Sequence, residues 1–167
     1  GVFVGCMQND YYHLQTSGHV GAYGASGNSV SIIANRVSFV FGMKGPSMTI
    51  DTACSSSLTA LHTARRALRN RDCSMALVAG VNAILCAEPF IEECAARMLS
   101  PDGRCQTFSE SANGFARGEG CGALVLKVME ESEGATPYAV LQGSALNQDG
   151  RTATLTAPNG PSQEDVI

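Results

Sequence analysis
Cys54 is the residue in this chain best placed to do chemistry. It lies in DTACSSSL, Asp51–Leu58, after the β-branched run SMTID and before a helical pattern. A nucleophilic thiol must be partly exposed and held toward the thiolate, and a strand-to-helix turn does both. Free N–H groups and the helix dipole at such a turn favour negative charge. The same N–H groups can stabilise the oxyanion formed when a thiol attacks a thioester or ester. Ala53 and Ser55 are small and let a substrate approach, so the stretch has the layout of a nucleophile elbow without the flanking glycines of GxSxG. Spacing alone leaves the bland alternative open, since a cysteine at an element boundary is commonly a packed small hydrophobe.

The other candidates are weaker. Cys6, Cys73, Cys86, Cys94, Cys105 and Cys121 bring the total to seven, an odd number with no CxxC pair. That pattern argues against a disulfide framework and a zinc site, and suits reduced thiols in a cytosolic protein. Cys73, Cys86 and Cys121 read as structural. His62 is eight residues beyond Cys54, about 12 Å along a helix, too far to be its direct base. His13 and His19 fall in a polar loop. GFARGEG has three glycines but no following Lys-Ser/Thr, so tight packing in a sheet is favoured over a phosphate loop. Glu119 within it reads as a buried structural carboxylate. No metal site is expected.

The elements that must position Cys54 follow from apolar periodicity. Residues 1–6 read as a buried strand and 9–28 as loop, with Tyr11, Tyr12 and Tyr23 packing it down. Residues 29–42 read as a helix capped by Asn28 or Ser29. SMTIDTAC is a strand and 55–70 an amphipathic helix, with Arg65, Arg66 and Arg69 on its wet face. Residues 73–85 form a buried strand, 89–98 a short helix, and 100–114 a loop. Residues 114–130 read as a long strand, 136–150 as another, and SQEDVI as the first turn of a helix. Strands alternating with helices predict an α/β protein with a mainly parallel sheet and right-handed crossovers.

Composition bounds the function. The 167 residues are 44% hydrophobic and 16% charged, with 18 glycines and a net charge of −4. This suits a well-buried globular domain and argues against an electrostatic grip on nucleic acid. No apolar run approaches membrane-spanning length. Gly1 opens directly on a strand and the chain stops inside a helix pattern, so both ends read as cut from something longer.

Longer motifs carry a family signal. DTACSSSL, ALVAGVN, RMLSPDGRCQTFSESANGFARGEGCGALVLK and GSALNQDGRTATLTAPNGPSQE occur in that order across nearly the whole chain. Together they resemble the ketosynthase (β-ketoacyl synthase) domain of modular polyketide synthases. The resemblance implies a thiolase-like fold of α-β-α-β-α layers, acting as a homodimer. Residues 1–133 would be most of the N-terminal half and 134–167 the start of the C-terminal half. It implies that Cys54 takes an acyl group from the phosphopantetheine arm of an acyl carrier protein, with its own N–H in the oxyanion hole. The acyl group would then join a carbanion from a decarboxylated malonyl or methylmalonyl thioester, with no cofactor bound directly. SMTID resembles the strand that pairs across the family's dimer interface. The family's two catalytic histidines belong to motifs beyond TAPNGPSQE, and His13, His19 and His62 do not match them. The isolated chain is therefore expected to fold poorly and not to condense. Asn35 stands where glycine is usual, Ala153 and Thr154 where Asn-Gly is usual, and the connection MEESEGATPYA is short. Two alternatives share the motifs: a fatty acid synthase condensing enzyme and a non-elongating ketosynthase-like scaffold. A cysteine hydrolase on an α/β fold would require the motif matches to be accidental. The expected location is the cytoplasm.

Overall fold
The computed structural model describes residues 1–16, 21–129 and 136–167. Its centre is a four-stranded sheet ordered β2-β1-β3-β4. The strands are β1 (Val2–Gly5), β2 (Ser47–Ile50), β3 (Met75–Asn82) and β4 (Gly120–Lys127). β1 pairs in parallel with β2 and β3, and β4 closes the order antiparallel to β3. The expectation of a mainly parallel sheet is met by three of the four strands.

Two helices cover the two faces. Strand side chains alternate in direction, so successive residues of β1 serve different layers. Phe3 packs with Ala60, Ala64, Ala67 and Leu68 of α4 (Ser56–Arg69) and with Ala76 and Val78 of β3. Val2 and Val4 pack with Ala34, Ile33 and Val37 of α3 (Ser31–Phe41) and with Leu77, Ala79 and Val81 of β3. The β1–α3–β2 and β2–α4–β3 connections run in opposite directions along the sheet with their helices on opposite faces. Two crossovers of the same hand require that arrangement. The alanines of α4 let it lie close to the strands, and its arginines stay at the outer side and the C-terminal end.

Several expectations need correcting. The stretch read as loop contains α1 (Asp10–Thr16) and α2 (Gly24–Asn28). Tertiary bonds hold this region: Asn9 Nδ2 donates to Asn28 O at 2.7 Å, and buried Asp10 accepts the Leu85 N–H at 3.0 Å. Tyr11, Tyr12 and Tyr23 are exposed, so they do not pack the region down. Neither Asn28 nor Ser29 caps α3, whose N-cap position is Val30. β4 is shorter than expected because residues 114–119 run outside the ladder. Residues 136–150 form no strand, having no ladder partner among the described residues. The short helices α5 (Glu88–Ala95) and α6 (Gly160–Val166) complete the chain. The expected boundary between halves, at 133/134, lies outside the described residues.

Candidate active site
The approach to Cys54 is a tight turn held by its own polar side chains. The Ala53 N–H donates to Asp51 Oδ1 at 2.9 Å, and Ala53 takes a positive φ of 54°. A non-glycine residue in that region stores strain of about 1–2 kcal/mol, which the surrounding bonds must offset. Buried Ser56 supplies two of these bonds. Its Oγ donates to Ala53 O at 2.6 Å and accepts the Thr52 N–H at 2.9 Å. Ser55 Oγ donates to Thr52 O at 2.8 Å, and the Thr52 hydroxyl lies 3.0 Å from that of Thr59. The serines and threonines of TACSSSLT therefore build the turn, and Cys54 is left exposed at its crest.

Two facing glycines set where the turn sits. Gly5 of β1 and Gly80 of β3 are register partners. A Cβ on Gly5 would lie 2.5 Å from Ser57 N and 2.6 Å from Ser57 Cα. One on Gly80 would lie 2.8 Å from Ser57 Cβ. The first turn of α4 thus rests directly on the backbone of two central strands, which only glycine permits. No acidic residue occupies the first turn of α4, and the carboxylate of Asp51 accepts the Ala53 N–H just before it. The sequence reading missed this seat. Its trace in the sequence was a glycine ending β1 and another inside β3.

Cys54 opens onto a cleft of about 700 Å³. Its walls include Met7, Ala53, Leu58 and Leu61 on one side and Gly118, Glu119, Gly120, Gly122 and Leu124 on the other. Gly122 is the register partner of Gly80, yet a Cβ there would meet nothing within 4 Å. The same holds for Gly118 and Gly120, so the tight packing expected of the GFARGEG glycines is confined to Gly114. A Cβ on Gly114 would lie 2.4 Å from Ser100 N. Glu119 is exposed rather than buried, and its Oε1 accepts the Ile84 N–H at 2.8 Å.

The remaining candidates lie elsewhere. The His62 Nδ1 lies 3.0 Å from Ser144 Oγ. His13 is in α1 and is exposed, and His19 lies outside the described residues. All seven cysteines are free. Cys73 packs against the core, whereas Cys121 is exposed and does not play the structural role expected of it. Burial and the neighbouring carboxylates Glu88 and Asp10 hold the Cys86 thiol above its ordinary value. Glu88 is held below the usual carboxylate range, first by its own backbone N–H at the start of α5 and then by the Cys86 thiol. No group of three or more metal-ligating side chains occurs among the described residues.

A mainly parallel sheet thus lies between helices, with Cys54 raised at a helix N-terminus above a cleft. The chain belongs to the β-ketoacyl synthase family: the model of the β-ketoacyl synthase N-terminal domain matches residues 1–132. It is 48% identical over 171 residues to the non-reducing polyketide synthase olcA of Penicillium canescens, covering 100% of this chain and 7% of that protein. It is 46% identical over 171 residues to erythronolide synthase EryA2 of Saccharopolyspora erythraea, covering 100% of this chain and 5% of that protein. Among solved structures, the module 6 ketosynthase of the bacillaene synthase from Bacillus subtilis 168 superposes with a TM-score of 0.88 at 45% identity. That match covers 99% of this chain and 28% of the ketosynthase. The oxazolomycin ketosynthase domain OzmH KS7 of Streptomyces albus JA3453 gives a TM-score of 0.88 at 37% identity, over 99% of this chain and 29% of that domain. The chain thus spans less than a tenth of these curated relatives and less than a third of the solved ketosynthases, whose fold is thiolase-like.

Proposed function
We propose that this chain carries the acyl-accepting centre of a polyketide ketosynthase. The observation that carries the reading is Cys54, exposed on the strained turn at the N-terminus of α4 and facing the cleft. In the proposed reaction the Cys54 thiolate attacks the carbonyl of an acyl thioester on the phosphopantetheine arm of an acyl carrier protein. The Cys54 N–H stabilises the tetrahedral oxyanion. Its collapse breaks the C–S bond to the carrier, whose thiolate leaves, and the acyl group stays on Sγ. A malonyl or methylmalonyl thioester then loses CO2, and the resulting carbanion attacks the Cys54 thioester. A β-ketoacyl chain two backbone carbons longer leaves on the carrier, and the Cys54 thiolate is regenerated. The histidines that assist decarboxylation in the family are not supplied by His13, His19 or His62.

The same reading divides the chain at about residue 133 into most of an N-terminal half and the entry to a C-terminal half. It assigns the free outer edge of β2 to a homodimer contact and places the enzyme in the cytoplasm. No helix among the described residues is long and apolar enough to cross a membrane.

The test is a chimera in which residues 1–167 replace the matching stretch of the bacillaene module 6 ketosynthase. Incubated with an acyl carrier protein thioester, it should gain one acyl mass on the peptide containing Cys54. Subsequent malonyl-carrier protein should release CO2 and free the thiol. Cys54→Ala should retain the fold and gain no acyl mass. A folded chimera that acylates another cysteine, or none, would reject the reading.

A further inference from the structure
The cleft has a soft rim. Gly118-Glu119-Gly120 forms one edge of it, and neither glycine has a neighbour within 4 Å of where a side chain would begin. Among the described residues, nothing packs where side chains at Gly118 and Gly120 would stand. The polar anchors of this stretch run along the strand end: Asn82 Nδ2 donates to Gly118 O at 2.6 Å, and Glu119 accepts the Ile84 N–H. The anchor on its N-terminal side is Arg117, and it is of another kind.

Arg117 is a long cation whose side chain is only 5% exposed. Its guanidinium lies 4.6 Å from the centroid of the Phe90 ring, within the range of a favourable cation–π contact. Its Nε is 3.5 Å from Glu93 Oε2, and the Glu93 side chain is 16% exposed. Its Nη2 donates to Gln8 Oε1. Gln8 directly follows Cys6 and Met7, which line the cleft. One planar group therefore ties three segments together: the turn after β1, the helix α5, and the run into β4. Nη1 is buried with no hydrogen-bond partner among the described residues, so the cation's position is set by the other contacts. A lysine would keep the charge but lose the flat face and the fork that reach Phe90, Glu93 and Gln8 together.

Building on the acyl-accepting role proposed for Cys54, we propose that Arg117 is a positioning residue for acylation. Through Gln8 and its own backbone it fixes the Met7 and Gly118–Gly120 rim of the cleft, and so the path along which an acyl chain reaches the thiol. It touches neither Cys54 nor, on this reading, the reacting carbonyl. Its influence should grow with the length of acyl chain that must lie along the rim.

The difficulty is that a buried ion pair also supports the fold. Removing one partner strands a buried charge and is strongly destabilising, whereas replacing both with apolar groups is often neutral. The test uses this asymmetry in the same chimera, with four proteins: wild type, Arg117→Met, Arg117→Met/Glu93→Leu, and Gln8→Ala. Each is assayed for melting temperature and for Cys54 acylation by two-carbon and eight-carbon acyl thioesters. Cys54 alkylation by iodoacetamide serves as a check that the thiol stays accessible. Arg117→Met should lose both stability and acylation. The double variant should regain most of its melting temperature and alkylate at the wild-type rate. Its eight-carbon acylation should nonetheless remain down by about tenfold, because a small misplacement of a substrate path costs that much or more. Its two-carbon acylation should fall much less. Gln8→Ala should shift the same chain-length ratio in the same direction with little change in melting. A double variant that recovers acylation together with stability, or a Gln8→Ala protein with an unchanged ratio, would show that Arg117 supports only the fold. A folded wild-type chimera with no acyl group on Cys54 would instead overturn the functional reading, and this proposal with it.

Discussion

β1 and β4 belong to one sheet and are both apolar, yet they end in opposite states. Val2 and Phe3 of β1 are 0% exposed, whereas Leu124 and Val125 of β4 are 56% and 66% exposed. β1 has a strand on each side and a helix on each face. Among the described residues β4 pairs with β3 alone, and its Leu124 and Val125 stay exposed. Composition makes a strand suitable for burial, but the number of covered faces decides whether it is buried. The covered strands are the ones that seat the first turn of α4, which follows Cys54. The open part is the far wall of the cleft.

The contrast can be broken by substitution in the chimera, and the largest effect is expected at its buried end. Phe3→Ala should cost about 3–5 kcal/mol by denaturant unfolding, the range for deleting a buried phenyl ring. Val125→Ala should cost under about 0.5 kcal/mol, as an exposed site does. A loss of several kcal/mol at Val125 would show that sequence outside residues 1–167 covers β4. The next effect concerns the glycines of one register row. Gly5→Ala drives a methyl into the Ser57 backbone and should destabilise by about 1–3 kcal/mol, as overpacking does. It should also slow Cys54 acylation, because the helix carrying the thiol must shift. Gly122→Ala meets open space and should leave stability within about 0.5 kcal/mol.

Smaller effects are expected around Cys86 and Glu88. Cys86 is held above the ordinary thiol value, so less of it is thiolate near pH 8. In a timed iodoacetamide reaction followed by peptide mass spectrometry, Cys86 should label after exposed Cys54. Glu88, held below the ordinary carboxylate range, favours the folded state above about pH 4.3. That contribution disappears as the pH falls through its lower folded value. Melting of Glu88→Gln should therefore fall slightly below wild type at pH 6, and the gap should narrow as the pH falls below about 4.3. A gap that does not narrow on acidification would assign Glu88 a role other than its charge.

The sequence made the core elements legible because their signals are local. The alanine and leucine spacing of α4, the β-branched strands and the small residues around Cys54 each act within a few positions. The family resemblance then gave Cys54 a role that spacing alone had left open. The rest depended on distant partners. α1 and α2 were misread because a glycine-rich, aromatic stretch looks like loop until Asn9 meets Asn28 and Asp10 meets Leu85. Residues 136–150 have strand composition, but composition cannot supply a ladder partner. Gly5 and Gly80 are separated by most of two crossovers, and only the parallel register reveals that they form one surface. Arg117 gives no local signal, because its partners Gln8, Phe90 and Glu93 are distant in sequence.

The glycine seat beneath α4 has a consequence for how this architecture can diversify. The thiol's coordinates are referenced to the main chain of the two central strands, much as a workpiece is referenced to a fixed datum. Side chains on the β4 side of the cleft, such as Leu124, can be exchanged without moving that reference, so substrate range can drift while the point of attack stays put. Gly5 and Gly80 are denied this freedom, as are the polar side chains that hold the turn itself.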